Sequence, residues 1–281
     1  MPGAPVADAV LAQVAEDVEK LKADGHTPGL ATVLVGDDPA SASYVRKKHE
    51  ACAAVGMASF NVEIPADATQ ADLMAAVRRL NDDRDVDAYL IQNPVPEGFD
   101  FNEAMFALDP AKDADGLHPE NLGRLAMGAD GPRPCTPAGI QAMLEHYGVP
   151  VEGKHVVVVG RGVTIGRPLS MLLSLKQPHA NAAVTVVHTG VPNWPDFTRQ
   201  ADVVIGAAGV GNMIRPEHIR PGAAVVGGGI TWEGKRLISD VDESCADVAG
   251  WITPRLGGVG PTTVAMLLRN CVAAARHRAV T

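Results

Sequence analysis

The chain has 281 residues, 46% hydrophobic and 20% charged, which excludes disorder as its main character. A chain of this length suits two domains and buries roughly three quarters of its unfolded surface, enough for cores without disulfide staples. Against 24 basic residues stand 33 acidic ones, and the net charge of −9 argues against generic affinity for nucleic acid or an anionic membrane.

Taken in chain order, Val10, Val14, Val18 and Leu21 at helical spacing predict a helix over 5–24, stopped at Asp24-Gly25. "GLATVLVG" (29–36) has no alternation and reads as a strand buried on both faces. The turn "DDPAS" opens a helix running to about Gly56. "ASFNVEI" (58–64) reads as a strand, "TQADLMAAVRRLNDD" (69–83) as an amphipathic helix, and "VDAYLIQ" (86–92) as a strand halted by Pro94 and Pro96. This β-α-β-α-β rhythm predicts a parallel sheet with right-handed crossovers. From 109 to 137 the chain is rich in Pro, Gly, Asp and Asn and reads as a long functional loop. A second alternation follows: strand 154–160, helix 166–175, strands 184–188, 202–206 and 223–227, and a final helix over about 261–278. Two α/β domains joined near 137–150 are expected, the second Rossmann-like, with a ligand cleft between them.

Cys52, Cys135, Cys245 and Cys271 are far apart and form no CxxC pair, so they read as reduced, mostly buried thiols of a cytoplasmic protein with no metal site. No apolar run reaches the ~18 residues of a membrane helix, and the N-terminus shows no signal-peptide pattern.

"KHVVVVGRGVTIGRP" places an apolar strand before a turn containing Gly160, Gly162 and Gly166 and then a helix. Such a turn aims backbone N–H groups and a helix N-terminus at a pyrophosphate. Its spacing, G-x-G-x-x-x-G, is one residue longer than the usual fingerprint, and a tight turn without a ligand is the alternative. The next strand ends in His188, Thr189 and Gly190, without the acid that holds a ribose 2′-hydroxyl in NAD sites. Arg161, inside the turn, is placed to meet a 2′-phosphate, which favours NADP; the bland reading leaves it a solvated charge.

In the first half, Tyr44 and Lys48 stand four residues apart on one helix face, with Arg46 and Lys47 pointing elsewhere. Spacing alone also allows Lys48 to be an ordinary surface lysine. Gln92 closes the strand 86–92 at its carboxyl end, where α/β sheets collect ligands. "DPAKDADGLHPENLGRL" adds Asp113, Asp115 and His118 on a loop that lacks the later acids of a calcium loop.

In order along the chain stand "VGDDPAS..YV..K", "QNPVP", "P.KDADGLHP.N.GRL", "PCTPAGI", "GRGVTIGRP", "HTG" and "GGVGPTTVAMLL". With these seven motifs, residues from about 28 to 275 resemble the bifunctional methylenetetrahydrofolate dehydrogenase/methenyltetrahydrofolate cyclohydrolase family. The resemblance implies a catalytic Lys48, with Tyr44, Gln92 and Asp115 shaping the folate pocket around it. It implies NADP held by Gly160, Arg161, Gly162, Thr164, Ile165 and Gly166 together with His188, Thr189 and Ile230. It further implies that the 257–263 loop, through Gly257, Gly258, Pro261 and Thr262, closes over a tetrahydrofolate substrate. A folate-binding domain over 1–140, joined by the helix at about 261–281, and an NADP-binding domain over 141–260 follow. So do a homodimer and a product serving purine biosynthesis. The sequence departs from the family pattern at Gly162 (usually Ser), Gly227 (usually Asp), Arg255-Leu256 (typically Val-Pro) and Thr262 (commonly Met). The competing readings are another two-domain NADP-linked dehydrogenase of a small hydroxy acid and a non-catalytic dinucleotide-binding module.

Overall fold

The computed structural model describes residues 1–234 and 236–280. The first helix, α1 (Ala4–Ala23), turns Val14, Val18 and Leu21 inward, none more than 5% exposed. β1 (Gly29–Val35) is buried at every position, as its unbroken apolar run requires. α2 (Pro39–Ala54) begins where the Asp38 carboxylate accepts the Ser41 N–H, with Pro39 in the first turn. β2 (Ala58–Ile64) leads to α3 (Gln70–Asp82), whose start is a reciprocal capping box between Thr69 and Asp72. α3 buries Leu73, Ala76, Val77 and Leu80, a single stripe at i, i+3, i+4 and i+7. β3 (Ala88–Ile91) follows, and the chain leaves it through a cis Asn93–Pro94 peptide.

β1 pairs in parallel with β2 on one side and β3 on the other. The stripe of α3 packs on Val33, Tyr89 and Ile91 of this sheet. At about 1.5–3 kcal/mol per fully buried large apolar side chain, this cluster holds the sheet and α3 together.

The segment 109–137 is more ordered than a long loop. After α4 (Phe101–Ala107) come a 3₁₀ turn at Pro110–Lys112 and two further helices, α5 (Pro119–Ala126) and α6 (Cys135–His146). The turn-forming residues there act as helix starts: Asp109 accepts the Ala111 N–H, and His118 Nδ1 accepts the Glu120 N–H.

The remaining elements are β4 (His155–Val159), α7 (Gly166–Ser174), β5 (Ala183–Val187), α8 (Trp194–Thr198), β6 (Val203–Gly206) and β7 (Ala224–Gly227). A hairpin of β8 (Ile230–Glu233) and β9 (Arg236–Ser239), then β10 (Trp251–Ile252) and α9 (Gly260–Val280), complete them. The five-stranded sheet has the order β10-β7-β6-β4-β5, parallel throughout. β5 returns to one side of β4 and β6 to the other, so the strand order reverses at β4.

By packing, Ala9–Arg124, Asp130–Arg133 and the chain from Val264 form one compact unit, and Met1–Asp8, Leu125–Ala129 and Pro134–Thr263 form the other. The break thus falls at Arg133/Pro134, where the sequence reading set it at 140/141. The reason is α6: Ile140, Met143 and Leu144 sit in the core beneath β4 and β6. The first eight residues join the same unit, because Val6 enters that core and the Gly3 N–H donates to the Gly257 carbonyl at 2.7 Å.

Candidate active site and dinucleotide turn

Within the three-stranded unit, α2 and the carboxyl end of β3 bring Lys48 and Gln92 together. Lys48 Nζ donates to Gln92 Oε1 at 2.9 Å. The Gln92 amide cannot reverse without loss, since its Nε2 donates to the Asn93 carbonyl at 2.8 Å. Its backbone is fixed too, by a 2.8 Å bond from the Gln92 N–H to Val33 O on the central strand. The sheet therefore sets where the carboxamide oxygen lies, and that oxygen sets the lysine. Tyr44, one turn before Lys48 on α2, is 41% exposed. Lys47 does not point away as the spacing suggested: its Nζ lies 5.8 Å from the Tyr44 ring centroid, an i,i+3 cation–π contact.

The three candidates of the 113–118 loop divide by role. Asp113 is spent on structure: its carboxylate accepts the N–H groups of Gly116 (2.9 Å) and His118 (2.7 Å) and the Asn121 amide (2.9 Å). His118 serves as the local cap of α5. Asp115 makes no hydrogen bond among the described residues, and its charge environment is set by Lys48 and Asp113. Burial raises its carboxyl above the usual carboxylate range; the Lys48 ammonium pulls it down and the Asp113 charge pushes it further up. Beside Lys48, His49 is held below its ordinary value, by burial first and the neighbouring ammonium second. Its Nε2 pairs with Thr32 Oγ1 at 3.0 Å.

In the other unit the glycine turn joins β4 to α7. Gly160 has φ +130°, and a Cβ there would lie 2.1 Å from Ala207 O. A Cβ on Gly166 would lie 2.3 Å from Gly160 O, so both glycines are required by backbone packing. Gly162 is different: nothing lies within 4 Å of the position its Cβ would take. The departure from serine there leaves open space and costs the turn nothing. No side chain caps α7 at Ile165; in its first turn the Arg167 N–H donates to Gly162 O at 3.1 Å and Pro168 carries no N–H. Arg161 and Thr164 are exposed on the turn, and Thr189 is exposed beyond β5. His188 Nδ1 accepts the Gly190 N–H at 3.0 Å. Ile230, 45% exposed, opens β8.

The 257–263 loop lies in this same unit. Its Thr262 side chain does not face a ligand surface. It is fully buried, with Oγ1 donating to Val259 O at 2.7 Å, and a Cβ on Gly139 would meet it at 2.4 Å. Gly257 (φ +71°) is exposed and Pro261 half-buried. Arg255 ties the approach to this loop down, donating from Nη1 to Leu237 O at 2.8 Å and meeting Glu243 at 3.4 Å.

Sequence reasoning missed Asn121, the amide that fixes Asp113, and Asp240, a fully buried carboxylate behind the β8–β9 hairpin. Asn121 stands in a quoted motif eight residues from Asp113, where spacing does not show the contact, and the N–H partners of Asp240 at Ala208 and Val210 are 32 and 30 residues away.

A strand order that reverses at β4, with a glycine turn at that strand's carboxyl end, defines a Rossmann-like nucleotide domain. Coupled to a second α/β unit carrying a lysine–carboxamide pair, it defines a two-domain α/β enzyme. The chain belongs to the tetrahydrofolate dehydrogenase/cyclohydrolase family: residues 1–115 match its catalytic domain and residues 134–279 its NAD(P)-binding domain. The bifunctional protein FolD of Syntrophotalea carbinolica is 64% identical over 277 residues, covering 99% of this chain and 96% of that one. Among solved structures, the bifunctional FolD methylenetetrahydrofolate dehydrogenase/cyclohydrolase of Campylobacter jejuni superposes with a TM-score of 0.94 at 37% identity, over 99% of this chain and 98% of that one. The Trypanosoma brucei N5,N10-methylenetetrahydrofolate dehydrogenase-cyclohydrolase, complexed with NADP cofactor and inhibitor, gives 0.92 at 38% identity, over 100% of this chain and 98% of that one.

Proposed function

We infer that the protein is an NADP-dependent 5,10-methylenetetrahydrofolate dehydrogenase and 5,10-methenyltetrahydrofolate cyclohydrolase of one-carbon folate metabolism. The observation that carries the reading is the 2.9 Å bond from Lys48 to Gln92 in a chain that matches both domains of the family.

The residues of the glycine turn fit a dinucleotide: Gly160 and Gly166 close the backbone tightly, the space at Gly162 is open, and no side chain covers the start of α7. Gly160, Gly162, Thr164, Ile165 and Gly166 would hold the pyrophosphate side of NADP, with Arg161 against the 2′-phosphate. His188, Thr189 and Ile230 would line the remainder. When bound, its nicotinamide supplies the hydride acceptor for the methylene bridge.

Asp115 receives the amino and N–H edge of the pterin, two donors matched to two carboxylate oxygens. Tyr44 stacks its exposed ring on the ligand. The ring nitrogen's lone pair expels hydride from the one-carbon bridge, so oxidation to the methenyl cation needs no net proton removal from the protein. Hydrolysis does need proton handling: water loses a proton as it attacks the bridge carbon, and a ring nitrogen gains one as the ring opens to 10-formyltetrahydrofolate. Lys48 moves these protons at Nζ, held in place by Gln92 Oε1. Gly257, Gly258 and Pro261 contact the folate, while the buried Thr262 supports the loop from beneath.

We place the enzyme in the cytoplasm as a homodimer, its product serving purine biosynthesis. Four buried thiols suit a reducing compartment; burial pushes Cys52 up to about 12 and Cys245 to about 11, which keeps them unreactive. No helix among the described residues is long and apolar enough to cross a membrane.

The test is incubation of purified protein with methylenetetrahydrofolate and either NADP or NAD, following cofactor reduction and methenyltetrahydrofolate absorbance together. Reduction of NADP in preference to NAD, with hydrolysis of methenyltetrahydrofolate, is expected. A protein that does neither is not this enzyme.

A further inference from the structure

Asp240 is 0% exposed and has no cationic partner among the described residues. Its partners are backbone N–H groups of the loop after β6: Ala208 donates to Oδ2 at 2.7 Å, Val210 to Oδ1 at 2.8 Å, and Gly209 bonds to the same carboxylate. Two glycines are shaped around this seat. A Cβ on Gly206 would stand 2.6 Å from the Asp240 Cβ, and one on Gly229 would stand 2.2 Å from its Oδ2. The carboxylate therefore gathers the ends of β6 and β7 at one point.

The loop it holds is the one that supports the dinucleotide turn. Ala207 N donates to Val159 O at 2.8 Å, and Ala207 O lies where a Cβ on Gly160 would be, at 2.1 Å. A shift of the 207–210 loop by a few tenths of an ångström is thus passed directly to Gly160.

We propose that Asp240 is a positioning residue for dinucleotide binding, its carboxylate fixing the 207–210 loop against which the Gly160 turn is set. A carboxylate suits the task because it is acceptor-only and its two oxygens serve N–H groups from several directions. Burial raises this carboxyl above the usual range, while the three N–H groups pull it down. An amide in its place turns one N–H donor toward another, leaving a buried donor unpaired. The absence of a side chain at positions 206 and 229 is accounted for by the Asp240 side chain.

The inference rests on the reading that the Gly160 turn binds NADP, and the experiment separates the two. Asp240→Asn is measured for NADP dissociation constant by titration calorimetry, for thermal unfolding, and for methenyltetrahydrofolate hydrolysis without NADP. The expected result is an NADP dissociation constant raised about tenfold or more, with hydrolysis falling by much less than NADP affinity. Gly209→Ala, which strains a residue at φ +67° whose Cβ would meet only Ile230 O, at an ordinary 3.7 Å, shifts the same loop while leaving the Asp240 carboxylate in place and is expected to weaken NADP in the same direction by a smaller factor. It carries the test if the Asn variant does not fold. Unchanged NADP affinity in a folded Asp240→Asn protein overturns the proposal. So does an equal fall in NADP affinity and hydrolysis, which marks a general structural role. Gly160→Ala is the control: if it too binds NADP normally, the site reading fails first. If it loses NADP while the Asp240 and Gly209 variants keep it, the Asp240 proposal alone fails.

Discussion

Lys48 Nζ lies 2.9 Å from Gln92 Oε1, and the Gln92 amide is locked in the orientation that presents oxygen to the lysine by its own 2.8 Å bond to Asn93 O. A helix and a strand end that are 44 residues apart in the chain thereby fix one ammonium. A lysine with four free torsions has most of its wandering removed before any substrate arrives, which is what proton transfer to a defined atom requires.

Lys48→Met removes the group proposed to carry the protons and keeps the side-chain volume. Methenyltetrahydrofolate hydrolysis is expected to fall by about 10²–10⁴-fold, the usual contribution of a positioned acid–base group. Dehydrogenase activity should remain measurable, because hydride loss needs no net proton transfer. Parallel stopped-flow measurements of NADPH formation and methenyl decay check the split, and equal falls at unchanged folate affinity would remove it.

Asp115→Asn should separate stability from activity. The folded-state pKa of Asp115 is raised, so the native protein holds its proton more tightly than the unfolded chain does. Its contribution is complete below the unfolded value of about 3.9 and is lost as pH rises through the folded value. At neutral pH the half-buried charge is a net cost that asparagine lacks. The variant is expected to melt higher than wild type at pH 7, the gap closing as pH falls to about 4, while folate turnover is lost. Melting curves across that pH range test the sign; a variant less stable at pH 7 contradicts it.

Arg161→Ala should weaken NADP far more than NAD. Arg161 is exposed on the turn, with no hydrogen bond or ion pair of its own among the described residues. A charge-assisted contact to a 2′-phosphate is worth about 1.5–3 kcal/mol, roughly ten- to a hundredfold in affinity. Fluorescence titration with both cofactors reads it directly. Equal losses for the two would assign Arg161 to the turn's structure.

Gly227 and Ser239 form a coupled pair. A Cβ on Gly227 would lie 2.2 Å from Ser239 Oγ and 3.5 Å from Thr253 Oγ1. Restoring the family's aspartate by Gly227→Asp is therefore expected to destabilise the protein by about 1–3 kcal/mol through overpacking. Ser239→Gly alone gives up the 3.2 Å bond from the Val241 N–H. Combined with Gly227→Asp it should recover much of the loss. A urea-unfolding double-mutant cycle measures the coupling, and strictly additive effects would show that the two positions do not contend for the same space.

The β-α-β alternation was legible in the sequence because buried strands and amphipathic helices carry their periods locally. β2 spans 58–64 as read, and α3 falls within the amphipathic helix read over 69–83. The β8–β9 hairpin was not read from the sequence: Ile230–Glu233 alternates over only four residues and is mostly exposed, too short a pattern to stand out. α4 and α8, of seven and five residues, are too short to show a helical period.

At the site, the sequence alone determined which residue types are present and in what order: a tyrosine and lysine one turn apart, a glutamine at a strand end, a glycine turn without a following acid. Only the tertiary structure decided their roles. It consumed Asp113 in a net of N–H groups while leaving Asp115 to face Lys48, a distinction invisible in "DADG". It took the Thr262 hydroxyl into the core under Gly139, and it made Gly160 and Gly166 indispensable while leaving Gly162 free. The physical reason is common to all of these. Local patterns record backbone period and side-chain chemistry, whereas hydrogen-bond satisfaction and steric room belong to atoms that meet only after the chain has folded.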